Sequence, residues 1–467
     1  MNVTSASVEE VNAAAEAGAA AFYPFSRSAP ALRARLLRAI AHGIEGLGGT
    51  LIECIARETR LAEARLMGER GRTCAQLRMF ADIAEANQWI EECIEAGDSA
   101  RTPQPKPPIR SRFVPLGPVV VFGASNFPLA FSVAGGDTAS ALAVGCPVIV
   151  KAHPAHPETS ALVGKVVSLA AAECGLPNGV FSLLFDAGYE VGINLVKHPR
   201  IMAGAFTGSR AGGVALWRAA QARAQPIPFF AEMSSINPIF VFPGAAAARA
   251  STIAAGLHAS IIGSVGQLCT KPGLVFAVDD AATKVWVDTL APLLSHSAPA
   301  TMLTAAIHSS CQRLVAERAG IEGVRSLARA ATPAGATHMG AALLAVDVDT
   351  FLRTPALHEE IFGPTSLIVH CLNTKDFLRC ARALEGQLTA TVWAESQELK
   401  SQDEFLWTLE QHAGRLVFNG FPTGVEVGRA TVHGGPFPAT TDSRFTSVGT
   451  RAVARFVRPV AYQNELT

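Results

Sequence analysis

The sequence predicts an α/β protein with two consecutive parallel sheets, and three observations carry that prediction. Short apolar runs of strand length alternate with helix-patterned stretches, which implies parallel strands covered on both faces. The alternation occurs twice, from Val119 to Ala224 and again from Ile239 to Phe418. The chain has 467 residues, room for two or three domains at roughly 150 residues each.

Along the chain, Val8–Ala21, Ala29–Leu47, Leu51–Thr59 and Glu63–Ala96 are rich in Ala, Glu, Leu and Arg at helical spacing, so four helices are expected first. The following run, Arg101-Thr-Pro-Gln-Pro-Lys-Pro-Pro-Ile-Arg-Ser-Arg112, excludes a helix interior or a central strand and reads as a crossing or an exposed ribbon. Buried strands are expected at Val119–Phe122, Val148–Val150, Phe181–Phe185 and Met202–Phe206, with helices at Thr138–Val144, Glu158–Cys174 and Ala211–Ala224. A second series follows at Ile239–Phe242, Val275–Val278, Leu367–Cys371, Thr389–Trp393 and Leu416–Phe418. The tail, Arg455–Tyr462, reads as a strand with no sheet of its own.

Composition removes several functional classes. Apolar residues make up 49% of the chain and charged residues 17%, with 39 basic groups balancing 39 acidic ones. Such neutrality gives no electrostatic case for nucleic acid or an anionic membrane as partner. No stretch approaches the roughly 18 unbroken apolar residues of a spanning helix; Leu116–Val133 comes nearest and is cut by Gly117, Pro118, Gly123, Ser125, Asn126 and Pro128. The nine cysteines are odd in number, scattered and without a C-x-x-C pair, which argues against a disulfide framework or a zinc knuckle. No metal site is predicted. With no basic, then apolar, leader at Met1–Glu10, a reducing cytoplasm is the expected setting.

Four segments can carry chemistry. Gly263-Ser-Val-Gly-Gln-Leu-Cys269-Thr-Lys-Pro-Gly273 places one thiol in a glycine-flanked turn after a helix, as a nucleophile requires; a small buried hydrophobe is the competing reading. Glu232 closes an apolar strand, where apolar surroundings would raise its pKa toward that of a general base; a solvated strand end is the alternative. Asn126, past the strand Val119–Phe122, can donate to a developing oxyanion or simply make the turn before Phe127-Pro128. Gly208-Ser209 lies between a strand and a helix, where backbone N–H groups can meet a phosphate, and Lys151 ends another strand. No G-x-G-x-x-G fingerprint is present.

The order of these segments, more than any one of them, resembles the aldehyde dehydrogenase family. Asn126-Phe-Pro, Lys151, Phe206-Thr-Gly-Ser209, Glu232 with Asn237-Pro238, Gly266-Gln-Leu-Cys269, Glu360-Ile-Phe-Gly-Pro364 and Asn419-Gly420 match the family's landmarks in sequence. Lys151-Ala-His-Pro-Ala-His-Pro157, Gly266-Gln-Leu-Cys-Thr-Lys-Pro-Gly273 and Val432-His-Gly-Gly-Pro-Phe-Pro-Ala-Thr-Thr-Asp-Ser-Arg444 look closer to its 2-oxoglutarate semialdehyde (2,5-dioxopentanoate) dehydrogenase branch and to a related NADP-using fatty aldehyde enzyme.

The resemblance implies two Rossmann-like domains and a small β element that bridges subunits. Residues 1–99 and 117–231 would bind cofactor, 232–445 would carry catalysis, and 100–116 with 446–467 would bridge subunits of a homodimer or homotetramer. It implies NAD(P)-dependent oxidation of an aldehyde through a Cys269 thioester, with Asn126 stabilising the oxyanion and Glu232 activating water. Lys151, Gly208, Ser209, Glu360 and Phe362 would hold the cofactor. Pro154 stands where NAD-preferring members carry a glutamate, so NADP use at least equal to NAD is expected, with Arg210, His153 or His156 supplying positive or donor groups. A substrate carboxylate would call for an arginine, and Arg444 is the expected candidate; an apolar pocket would favour fatty aldehydes. The reading outside this class is a cysteine acyltransferase or hydrolase, which needs a histidine beside the thiol and has His258 as its nearest candidate in sequence.

Overall fold

The computed structural model describes residues 4–333 and 337–465. Helices α1 to α4 (Val8–Ser26, Pro30–Gly46, Gly48–Thr59, Glu63–Glu85) come first. The fourth is shorter than its composition suggests: Asn87 and Glu91 take positive φ, ending the helix before β1 (Cys93–Glu95). Strand β2 (Ile109–Pro115) follows the proline-rich run.

The first parallel unit runs β3 (Val119–Phe122), α5 (Gly136–Ala143), β4 (Val148–Lys151), α6 (Pro157–Glu173), β5 (Phe181–Leu184), α7 (Glu190–Lys197), β6 (Ala203–Thr207), α8 (Arg210–Gln221) and β7 (Phe229–Glu232). The order β5-β4-β3-β6-β7 makes it doubly wound. Alternate residues separate the two faces. Val119 and Val121 pack with α2, α4 and α5, while Val120 and Phe122 pack with α1, α7 and α8.

A second unit begins at β8 (Ile239–Val241), α9 (Pro243–Ile262) and β9 (Leu274–Val278). It continues through β10 (Ala300–Thr301), β11 (Arg325–Arg329), β12 (His338–Met339), β13 (Ala342–Asp347), β14 (Thr365–Cys371), β15 (Gln387–Trp393) and β16 (Ala413–Phe418). Its seven strands lie in the order β11-β13-β14-β9-β8-β15-β16, with only β11 antiparallel to its neighbour. Phe240, Phe242 and Phe276 pack on one face, and Ile239, Val241 and Val275 on the other.

The tail strand β17 (Val457–Gln463) is not an orphan. It pairs antiparallel with β2 of the same chain, from Val457 opposite Pro115 to Gln463 opposite Ile109, and β1 lies on the other side of β2. The proline-rich run closes the ribbon through a bridge between Asp98 and Lys106.

Residues just before this tail return to the first sheet. Thr440 bridges Glu232, Met233 N–H donates to Ala439 O at 2.7 Å, and Thr441 N–H donates to Ala231 O at 3.1 Å. Arg455 then reaches Asp137 of α5 at 2.8 Å, both side chains buried. Removing one member of such a pair strands the other charge, which typically costs about 3–5 kcal/mol. The substitution Arg455→Met is therefore expected to lower the unfolding free energy measured in urea by that order, and Arg455→Met with Asp137→Asn should recover part of the loss.

Candidate active site

In a doubly wound sheet, ligands bind beyond the carboxyl ends of the strands, at the point where strand order reverses. Here that point lies between β3 and β6. The Asn126 loop leaves β3, Lys151 ends β4, Gly208-Ser209 follows β6 and Glu232 ends β7. The parallel register sets Phe122 beside Lys151 and Thr207 beside Glu232, so all four segments open onto one edge.

The second unit delivers Cys269 to the same edge. After α9 the chain makes a tight turn over Gly263–Gly266, in which Ser264, Val265 and Gly266 all have positive φ. For β-branched Val265 this is an uncommon conformation, the kind of local strain that collects at functional loops. Gly266 has a second constraint: a Cβ there would lie 2.2 Å from the carbonyl of Gly363. The cysteine loop and the Ile361-Phe-Gly-Pro364 segment thus touch backbone to backbone. Asn237 ties the loop down from below, its Nδ2 donating to Cys269 O at 2.8 Å and Lys271 O at 3.0 Å. Buried Lys271 donates to the carbonyls of Ile361 and Thr365. Asn126 Nδ2 donates to Gln267 O at 3.0 Å, two residues before the half-buried thiol.

A residue with no role in the sequence reading completes this site. His433 is buried, with Nε2 3.6 Å from Cys269 Sγ and 2.8 Å from Glu232 Oε1. The contact to Oε1 is at ion-pair distance without hydrogen-bond alignment, and Oε1 and His433 Nδ1 have no hydrogen-bond partner. Ser447 Oγ donates to the other carboxylate oxygen at 2.6 Å. The segment Val432-His-Gly-Gly was visible as a motif, but nothing in it showed which groups its histidine would meet. His258, the candidate under the hydrolase reading, faces Ser297 Oγ at 2.8 Å instead.

The charges are coupled. Burial alone would push His433 down, but the charges of Glu232 and Cys269 outweigh it and hold the imidazole at about 10. Burial would likewise raise Glu232, yet His433, Ser447 and Arg455 bring its pKa below the usual carboxylate value. This corrects the expectation of an elevated Glu232: the apolar surroundings are present, but an imidazolium shares them. The donor atoms of Glu232, Cys269 and His433 lie within 4.8 Å of one another, a spacing that a metal ion could also bridge. A cavity of about 20 Å³, enough for one water, borders Glu232, Thr440 and Ser447.

The residues expected to hold the cofactor fall into two groups. Lys151 is half-buried, lowered in pKa by burial, and its ammonium makes no hydrogen bond or ion pair with the described residues. Ser209 caps α8, Oγ accepting from Gly212 N–H. Glu360 is pushed up to about 7 by burial, against the pull of Lys271 and hydrogen bonds from Ser234 and Ser235, and Phe362 beside it is half-buried. Arg210, by contrast, is committed to Glu385 through two contacts of 2.6 and 3.1 Å. His153 is pushed down to about 3 by burial, and His156 is lowered by burial and bonded to Ala124 O and Ser160 Oγ, so both are neutral at pH 7. Arg444 is largely exposed and pairs with Asp442, two residues away; it does not line the cleft expected for it.

Two outcomes follow from this geometry. Gly266→Ala is expected to abolish activity and lower thermal stability, whereas Gly424→Ala, also at positive φ but with open space around it, should cost far less. An imidazole raised from about 6.5 to about 10 stabilises the fold fully below the lower value and loses that contribution as pH climbs through the higher one. The melting temperature of the wild type should therefore fall more steeply between these values than that of His433→Gln.

Comparison with known proteins identifies the family. The Aldehyde dehydrogenase family model matches residues 1–435. An alpha-ketoglutaric semialdehyde dehydrogenase 2 from Azospirillum brasilense is 49% identical over 455 residues, covering 97% of this chain and 87% of that protein. An alpha-ketoglutaric semialdehyde dehydrogenase from Acinetobacter baylyi is 44% identical over 462 residues, covering 99% and 88%. Among solved structures, lactaldehyde dehydrogenase from Escherichia coli shares the fold at a TM-score of 0.84 and 20% identity, over 98% of this chain and 92% of that one. A Thermus 1-pyrroline-5-carboxylate dehydrogenase with bound NAD does so at 0.83 and 22%, over 99% and 87%. With its landmark residues gathered at one strand edge and a family match over most of its length, the chain belongs to the aldehyde dehydrogenase family.

Proposed function

We propose that this enzyme oxidises 2-oxoglutarate semialdehyde to 2-oxoglutarate through a thioester on Cys269. The observation that carries the proposal is the Cys269–His433–Glu232 cluster at the mouth of a doubly wound sheet, in a chain whose relatives from Azospirillum brasilense and Acinetobacter baylyi carry that substrate in their names. Cys269 sulfur adds to the aldehyde carbon. The developing oxyanion takes hydrogen bonds from Asn126 Nδ2 and the Cys269 backbone N–H. Lys151, Gly208-Ser209, Glu360 and Phe362 would hold a nicotinamide dinucleotide, which when bound supplies the hydride acceptor. The fit rests on Lys151, a half-buried ammonium with no protein partner among the described residues. Glu232, ionised at neutral pH, accepts a proton from the water that cleaves the thioester. His433, carrying its proton between carboxylate and sulfur, orients both.

Both cofactors are accepted, NADP at least as well as NAD. Support for this comes from Pro154, which offers no carboxylate to repel a 2′-phosphate. The cationic help has to come mainly from Lys151, since His153 and His156 are neutral and Arg210 is paired. We further propose a homo-oligomer assembled through the β1-β2-β17 ribbon, and a cytoplasmic setting consistent with nine free thiols. A hydrolase reading without nicotinamide has one point in its favour, the histidine beside the thiol.

A single assay series separates these readings. Reduced nicotinamide should form with 2-oxoglutarate semialdehyde and either cofactor, and Cys269→Ala should remove it by at least about a thousandfold. Product formed without cofactor would support the hydrolase. A kcat/KM for NAD far above that for NADP would overturn the cofactor proposal.

A further inference from the structure

Two arginines within electrostatic reach of Cys269 form no ion pair among the described residues. Arg72, on α4, keeps Nε and Nη2 buried and without a hydrogen-bond partner. Its guanidinium lies 5.6 Å from the centre of the Phe131 ring, and that ring lies 6.3 Å from the His433 ring. Arg415, on β16, also has a buried, unpartnered Nε, while its Nη2 donates to Pro422 O. Neither has a carboxylate within ion-pair distance among the described residues. Burial lowers the pKa of both guanidinium groups, and the charge of Cys269 acts on each in the opposite sense. The strand carrying Arg415 touches the chain next to His433, since a Cβ at Gly414 would lie 2.1 Å from Gly434 O. The other arginines of the region are spoken for: Arg65 donates to Asn126 O, Arg455 meets Asp137, and Arg444 meets Asp442.

Leaving a buried donor unmade, and a buried charge unpaired, costs free energy that folding does not recover. A site that retains two such groups around a nucleophile is built for an anion that arrives later. Phe131, with Phe127, Val425 and Val427 in the same apolar cluster, sets an apolar wall beside Arg72. A planar guanidinium fork matches a carboxylate, and an apolar wall matches a short methylene chain.

We propose that Arg72 and Arg415 form the subsite for the carboxylate at the far end of a short semialdehyde, whose aldehyde carbon meets Cys269. This deepens the proposed function and rests on its assignment of Cys269 as the nucleophile. It replaces the sequence expectation for Arg444.

The test has two arms. In the first, kcat/KM is measured for 2-oxoglutarate semialdehyde and for pentanal, with wild type, Arg72→Met, Arg72→Lys and Arg415→Met. The ratio between the two substrates should fall roughly 10- to 100-fold in each methionine variant and recover partly with lysine. A loss of folded protein lowers both rates together and cannot move this ratio. In the second arm, binding of glutarate to the enzyme is measured by calorimetry. Wild type should bind it, and each methionine variant should bind at least about tenfold more weakly. Unchanged ratios and unchanged glutarate affinity would overturn the subsite while leaving the dehydrogenase intact. Arginine-dependent glutarate binding in a protein that oxidises neither aldehyde would support the subsite and overturn the proposed function.

Discussion

A carboxylate placed at the end of β7, beneath an imidazolium and away from solvent, sets the electrical character of the whole cleft. Glu232 could not be ionised there alone, because burial penalises the charged form. His433, Ser447 and Arg455 supply the compensation, and each comes from the segment that returns to the first sheet after β16. Glu232 sits on the first unit, Cys269 on the second, and the groups that tune them on a third stretch of chain. The charge state of the site therefore reports on whether all three are assembled.

Position is controlled by different means from charge. Three successive left-handed residues, one of them Val265, bring the chain from α9 to Cys269. The turn persists because Gly266 lies against Gly363 and because Asn237 and Lys271 occupy the nearby carbonyls. Backbone contact of this kind leaves little room for adjustment, which explains why glycines recur in both segments. The thiol is then presented half-buried.

Much of this architecture was legible in the sequence, for identifiable reasons. Buried parallel strands such as Val119–Phe122 and Val148–Lys151 are apolar on both faces, so they stand out as continuous runs. Cys269, Glu232 and Asn126 stand at strand or helix ends marked by glycine, proline or a lone polar residue. What remained hidden depended on long-range contact. The strand Ala342–Asp347 is masked by alanine, and the pairing of β17 with β2 has no local signature. His433, Ser447, Arg72 and Arg415 are ordinary residues in ordinary segments until folding brings them beside Cys269 or Glu232. Arg444 drew notice in sequence but spends its charge on Asp442.

The stretch that closes the cleft also has a consequence for how the protein can be divided. Ser447 and Arg455 lie beyond position 435, where the match to the family model stops. A fragment trimmed to that limit would retain Cys269 and Glu232, and would even keep the imidazole of His433. It would lose the hydroxyl and guanidinium that help that imidazole keep the buried carboxylate ionised. The last few dozen residues thus serve as a counter-electrode for chemistry performed elsewhere in the chain.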